Sequence, residues 1–228
     1  MADPRLSPAA ARVLAVLATG GIILAVLLTV LGHVDADQGY NPLTLTISDY
    51  AVSDRGGAVD FAMVTLGLAS LCLLAGLHVV GAPVRALSTV LLLVWAGGLV
   101  VSAAVPTDPP GVQMSLAGLV HRYASVSAFV SLPLAVIVLN RRLDRDIHWG
   151  AIRATLRMLT VTIAVGLLVM FYVAFPGDRI LLGLVERLLL TIEVGLLGVL
   201  AVRLYRVSTK LARPSPRELL SLSSPRVS

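Results

Sequence analysis

Six apolar stretches, each close to the length of a bilayer crossing, recur along this chain with polar connections between them. The hydrocarbon core of a bilayer is about 30 Å thick and an α-helix rises about 1.5 Å per residue, so roughly 20 apolar residues make one crossing. Val13–Gly32 holds no charged residue, and Phe61–Val80 and Ala86–Val105 are uncharged apart from His78. Tyr123–Leu139 and Met158–Phe175 are shorter but equally clean. Ile180–Val202 differs, because Glu186, Arg187 and Glu193 interrupt a run otherwise almost all Leu, Val, Ile and Gly. With 57% apolar residues, 14% charged residues and a mean hydropathy of +0.91, the composition exceeds what a soluble core needs. The sequence therefore predicts an all-α polytopic membrane protein, a six-transmembrane-helix bundle with helices over approximately 13–32, 59–80, 86–105, 118–139, 156–175 and 181–203. These form a single membrane domain, 1–206, followed by a disordered, basic, Ser/Pro-rich tail over 207–228.

Orientation follows from the basic residues, since short loops rich in Arg and Lys stay cytoplasmic. With the N-terminus inside, 14 of the 18 basic residues fall on the inner side, and Arg55, Arg122, Arg179 and Arg187 fall outside. Both termini are predicted cytoplasmic, in a multi-pass protein of the plasma (inner) membrane. Asp35, Asp37, Asp49, Asp54, Asp60, Asp108, Asp178 and Glu186 make the outer face the acidic one. The net charge of +5 and pI near 10.0 point to anionic lipid headgroups on the cytoplasmic side rather than to nucleic acid, because the basic residues flank membrane helices. A partner membrane protein or a second copy of the chain is a further expectation. Seventeen of the 18 basic residues are Arg, which reads as the mark of a high-G+C bacterial genome. The single cysteine, Cys72, excludes an intramolecular disulfide and reads as a small apolar packing residue. Val34-Asp35-Ala36 resembles a signal-peptide cleavage site, but the run before it is longer than the usual h-region, and it reads as a retained helix.

The first outer loop, His33 to about Gly57, is the long one, and loops of that length tend to be functional or disordered. Its Leu43-Thr44-Leu45-Thr46-Ile47 run alternates as a short extended segment or an amphipathic piece on the membrane would. Gly21-x-x-x-Ala25 and Gly98-x-x-x-Ser102 have the small-residue spacing that lets membrane helices approach closely. Pro133 is expected to kink the fourth helix. Trp149 is expected at an interface level. No G-x-S-x-G, H-E-x-x-H, P-loop or cysteine pair is present. No metal site is expected and no cofactor is predicted.

Three segments carry a resemblance. Ile47-Ser48-Asp49-Tyr50-Ala51 precedes Asp60 and the Gly67-Leu68-Ala69-Ser70-Leu71 stretch; Gly118-Leu119-Val120-His121-Arg122 opens the fourth helix; and Gly183-Leu184-Val185-Glu186-Arg187 opens the sixth. With six helices, this resembles the prokaryotic membrane family catalogued as domain of unknown function nine hundred and ninety-eight, over about Val13 to Arg206. The resemblance brings no reaction or cofactor. It implies that the Ser-Asp-Tyr loop, the His of helix four and the Glu-Arg of helix six belong together.

Physical reasoning gives the same grouping. An ionised side chain in hydrocarbon costs at least roughly 2.5–3.5 kcal/mol, so such groups face the bundle interior and find partners. Asp60, His121, Arg122, Glu186 and Arg187 all fall near the outer ends of their helices. His121 is expected to pair with a carboxylate such as Asp60 or Glu186. Glu193 lies two turns beyond Glu186 on the same face, about 10 Å deeper, and reads first as a neutral carboxyl hydrogen-bonded between helices. The candidate functional cluster is Ser48, Asp49, Tyr50, Asp60, His121, Arg122, Glu186, Arg187 and Glu193. The leading expectation is a non-enzymatic membrane module that binds lipid or a partner membrane protein through this polar end. The alternatives are a small ion- or proton-coupled transporter using Glu193 and Glu186, and an intramembrane lipid-modifying enzyme with an outer-leaflet Asp/His/Glu site.

Overall fold

A computed structural model of the chain describes residues 8–34, 40–52, 57–109, 111–143 and 146–212. Within them lie six helices long and apolar enough to cross a membrane: α1 (Pro8–His33), α2 (Gly57–Val79), α3 (Ala86–Ala104), α4 (Leu116–Leu143), α5 (Arg153–Ala174) and α6 (Leu182–Leu211). Every apolar stretch read from the sequence becomes a helix, and most are extended by one or two polar turns. At α6 the extension reaches Leu211, with Val207 and Ser208 buried, so the start of the expected tail is helical. Residues 213–228, and the Asp35-Ala36 part of the suspected cleavage site, lie outside the described residues.

Each helix packs on the next in chain order, and α6 returns to α1, closing a ring that α2 and α6 also bridge across. With lipid on the outside there is little hydrophobic gain from helix association, so close backbone approach supplies the contact energy. Small residues provide it. A Cβ on Gly21 would stand 2.8 Å from the Cβ of Ala69, joining α1 to α2, and one on Gly98 would stand 2.7 Å from the Ala124 carbonyl oxygen, joining α3 to α4. The Gly98-x-x-x-Ser102 register is completed by a hydroxyl pair, Ser102 to Ser125, at 2.9 Å. Both small-residue spacings thus sit at helix contacts, as the sequence indicated.

The outward faces are apolar, with Leu17, Leu27, Leu68, Leu168 and Phe171 among the exposed side chains, as a lipid-facing surface requires. Helix α4 runs unbroken through the buried Pro133. Trp149, expected at an interface level, packs against protein. It is 2% exposed, inside the core, in the α4–α5 connection, where Arg203 of α6 donates to the adjacent His148 carbonyl.

Candidate functional site

The loop 40–52 is the feature that organises the end of the bundle opposite the start of α1 and the end of α6. Its Leu-Thr alternation forms neither a strand nor a surface helix, because Asn41 starts a turn before alternation can be used. The Asn41 side-chain oxygen accepts the Leu43 N–H at 2.9 Å, and its carbonyl accepts the N–H groups of Thr44 and Leu45 at 3.1 and 2.9 Å. Thr46 and Asp49 then bond reciprocally: the Thr46 N–H donates to Asp49 Oδ2 at 2.7 Å and the Asp49 N–H to Thr46 Oγ1 at 3.3 Å. This is the arrangement of a capping box, and it starts the short 3₁₀ turn Ser48–Val52.

The turns present carbonyl groups to the start of α6, whose first N–H groups have no partner within the helix. The Leu43 carbonyl accepts the Leu184 N–H at 3.1 Å. Arg187 Nη1 donates to the carbonyls of Pro42 (2.8 Å), Leu45 (2.7 Å) and Gly183 (2.9 Å). Glu186 faces the other way along the loop, and its Oε2 accepts the Ile47 N–H at 2.6 Å. Gly183 explains the glycine in this segment, since a Cβ there would collide with the Leu45 and Pro42 carbonyl oxygens. The Gly183–Arg187 and Ile47–Tyr50 segments are thus two halves of one clasp.

His33, at the end of α1, completes it. Its Nδ1 lies 2.6 Å from the Thr29 carbonyl, which can only accept, so Nδ1 carries the proton and Nε2 accepts from Arg187 Nη2 at 2.8 Å. The imidazole stacks on Tyr50 with centroids 4.2 Å apart, Tyr40 meets the same phenol edge-on at 5.2 Å, and the Arg187 guanidinium lies 5.2 Å from its centre. Burial pushes the Tyr50 hydroxyl above its ordinary value of 10.0, against the opposing pull of Arg187. From pH 10 up to that higher folded value the folded chain keeps a proton the unfolded chain has lost, so stability falls as pH rises through the window. An absorbance titration of the wild type minus Tyr50→Phe is therefore expected to show a phenol ionising above pH 10; ionisation at or below that value would contradict the stacked, buried placement.

His121 and Asp60 belong to the facing wall. The His121 ring is 4% exposed and its Nδ1 lies 2.9 Å from the Val105 carbonyl, so the expected bond to a carboxylate is replaced by one to the backbone. The reason is positional: α3 ends at Ala104, and its next carbonyl is presented to the second turn of α4. Asp60 is half-buried in the first turn of α2, on the His121 side. His121 Nε2 is buried with no hydrogen-bond partner among the described residues. Arg122 is exposed and acts on Asp108, whose carboxyl is held below the usual range by hydrogen bonds from Ser115, the residue that caps α4. A Cβ on Gly118 would strike that carboxylate, which accounts for the glycine of the helix-four segment.

Two cavities meet between these walls. One, of about 500 Å³, is a mainly apolar chamber among α1, α2, α3, α4 and α6, with Trp95, Leu66, Leu99 and Met63 in its lining. The indole N–H of Trp95 is fixed to Ser70 Oγ at 2.9 Å. The other, the polar cavity, of about 640 Å³, opens among the loops and carries Asp49, Asp108, His121, Arg122, Asp178 and Arg179 in a wall that is otherwise largely apolar. Ser48, Ser125, Phe129 and Glu186 line both, so they form the threshold between the two.

The residues singled out in the sequence therefore divide. Asp49, Tyr50, Glu186 and Arg187 make the clasp, Ser48 and Glu186 the threshold, and His121 and Arg122 the polar cavity, with Asp60 beside His121. Glu193 stands apart: fully buried, lining neither cavity, with no hydrogen-bond partner for either carboxyl oxygen among the described residues. Sequence reasoning missed His33 and the Asn41–Leu45 carbonyl groups, because nothing in a lone histidine or an Asn-Pro turn marks a partner about 150 residues away. No group of three or more metal-ligating side chains occurs among the described residues.

Six apolar, membrane-length helices enclosing a polar end define a multi-pass membrane protein. The family described as a protein of unknown function, DUF998, matches residues 5–203, and the chain belongs to it. No curated protein and no solved structure matches the chain.

Proposed function

We propose that this protein is a non-enzymatic membrane module that binds an amphiphile drawn from the bilayer at its polar end. The observation that carries this reading is the junction of an apolar chamber of about 500 Å³ with a polar cavity of about 640 Å³ at Ser48, Ser125, Phe129 and Glu186. The volumes lie in the roughly 300–1,000 Å³ range of small-molecule sites. Both walls are mainly apolar and the second carries most of the charged side chains, which suits a ligand with an apolar body and a polar head. Val26 and Val30 of α1 and Thr191 of α6 line the chamber and are also exposed, which gives the apolar body a lateral way in from lipid. The 14-to-4 distribution of basic residues supports cytoplasmic termini in a plasma membrane, a cytoplasmic face resting on anionic headgroups, and a site on the outer side.

A carrier draws less support from the geometry, since Glu193 lines neither cavity. So does a lipid-modifying enzyme with an Asp/His/Glu site, since His121 Nδ1 is held by the Val105 carbonyl and, among the described residues, no carboxylate hydrogen-bonds its ring. A partner membrane protein or second copy would seat on the same polar end.

The test is a native mass spectrum of the full chain in mild detergent. One bound amphiphile per chain is expected, lost on Ala62→Phe, which projects an aromatic ring from a buried chamber-lining position. Protein that is bare in the wild type, or a bound mass indifferent to Ala62→Phe, would overturn the reading.

A further inference from the structure

The polar cavity has a chemical preference, and the groups around it state which. Since the Val105 carbonyl can only accept, His121 Nδ1 carries the ring proton, and Nε2 is then an acceptor with no donor among the described residues, itself buried, on a residue that lines the cavity and is 4% exposed. A buried acceptor without a donor costs free energy that a ligand can recover. Glu186, 6% exposed, borders the same space; one of its oxygens takes the Ile47 N–H and its carboxyl is the threshold's other acceptor. Asp49, Asp108 and Asp178 add three carboxylates against the two guanidinium groups of Arg122 and Arg179. The nearby Arg187, which an anionic head would seek, is already committed to loop carbonyl groups and His33.

Resting on the reading above, we propose that the occupant is a single-chain amphiphile whose head donates hydrogen bonds, an aliphatic amine or alcohol, with the head received by His121 Nε2 and Glu186 and the chain laid in the Trp95 chamber. An alkyl phosphate, bearing acceptors and negative charge, is disfavoured at the same place. The donor group has two sources, the headgroup of a single-chain membrane lipid and a free long-chain amine or alcohol.

The chain has two tryptophans, Trp95 and Trp149, and only Trp95 lines the chamber, so Trp149→Phe gives a single-reporter protein. Brominated dodecylamine, dodecanol and dodecyl phosphate, added to this full-length protein in nanodiscs, report chamber occupancy by quenching Trp95. Saturable quenching by the amine and the alcohol is expected at concentrations at least about tenfold below the phosphate, the equivalent of one hydrogen bond's worth of affinity. His121→Phe is expected to erase that preference. The wild-type ranking tests the proposal even where that variant fails to fold. Equal quenching by all three heads, or stronger quenching by the phosphate, overturns the donor-head inference while leaving an amphiphile site standing. Absence of saturable quenching by any probe overturns the site itself. Competition by a monoacylglycerol, a single-chain lipid with a hydroxyl head and no phosphate, assigns the lipid source; competition by unbrominated dodecylamine alone assigns the free one.

Discussion

Arg187→Ala is expected to release the loop 40–52 from the bundle and to lower stability by about 3 kcal/mol, two charge-assisted hydrogen bonds at the lower end of the roughly 1.5–3 kcal/mol each contributes. One guanidinium group holds the Pro42, Leu45 and Gly183 carbonyl groups, bonds His33 and lies against Tyr50, and no single neighbour can take over those positions. Lysine keeps the charge but has no planar fork to span them, so Arg187→Lys is expected to recover less than half of the loss. Hydrogen exchange separates a local effect from a global one. Amides of 40–52, with the Leu184 N–H that bonds the Leu43 carbonyl, should exchange much faster, while those in the middle of α2 and α3 keep their protection. Gly183→Ala reaches the same end by collision with the Leu45 and Pro42 oxygens, and should give the same exchange pattern with Arg187 intact. Unchanged exchange in 40–52 for both variants would show that the loop does not depend on this clasp.

The second large effect has the opposite sign. Glu193→Leu is expected to stabilise the fold by about 1–3 kcal/mol, because both carboxyl oxygens are buried without a partner and leucine of similar size removes that desolvation cost. Glu193→Gln keeps polar atoms in the same place and should gain little. Reversible denaturation in mixed micelles measures the difference, and retention of the bound amphiphile should be unchanged, since Glu193 lines neither cavity. A destabilised Glu193→Leu protein would mean that the carboxyl has a partner in the membrane, and would return weight to a charge-carrying role.

Glu186 and Glu193 lie seven residues apart on one helix, and spacing alone groups them on one face. The fold separates them. Glu186 is met by a loop N–H 139 positions earlier in the chain, and Glu193, two turns on, meets only side chains that offer it no hydrogen bond. Periodicity places a residue on a face; it does not say what stands opposite.

The sequence by itself determined the six spans, because hydrocarbon demands long uncharged helices and each such run is local. It determined the close contacts at Gly21 and Gly98, because only small residues permit that approach in lipid. That the Ser-Asp-Tyr and Glu-Arg segments belong together came from the family resemblance, not from periodicity or charge, and the Ile47 to Glu186 hydrogen bond joins them. Only the tertiary structure decided that His33 joins them, that His121 turns to the Val105 carbonyl rather than to a carboxylate, and that a chamber opens beneath the clasp. Those outcomes depend on how far helices distant in sequence slide along and rotate about one another as the ring closes, and that register is fixed by the sum of many contacts, not by any one segment.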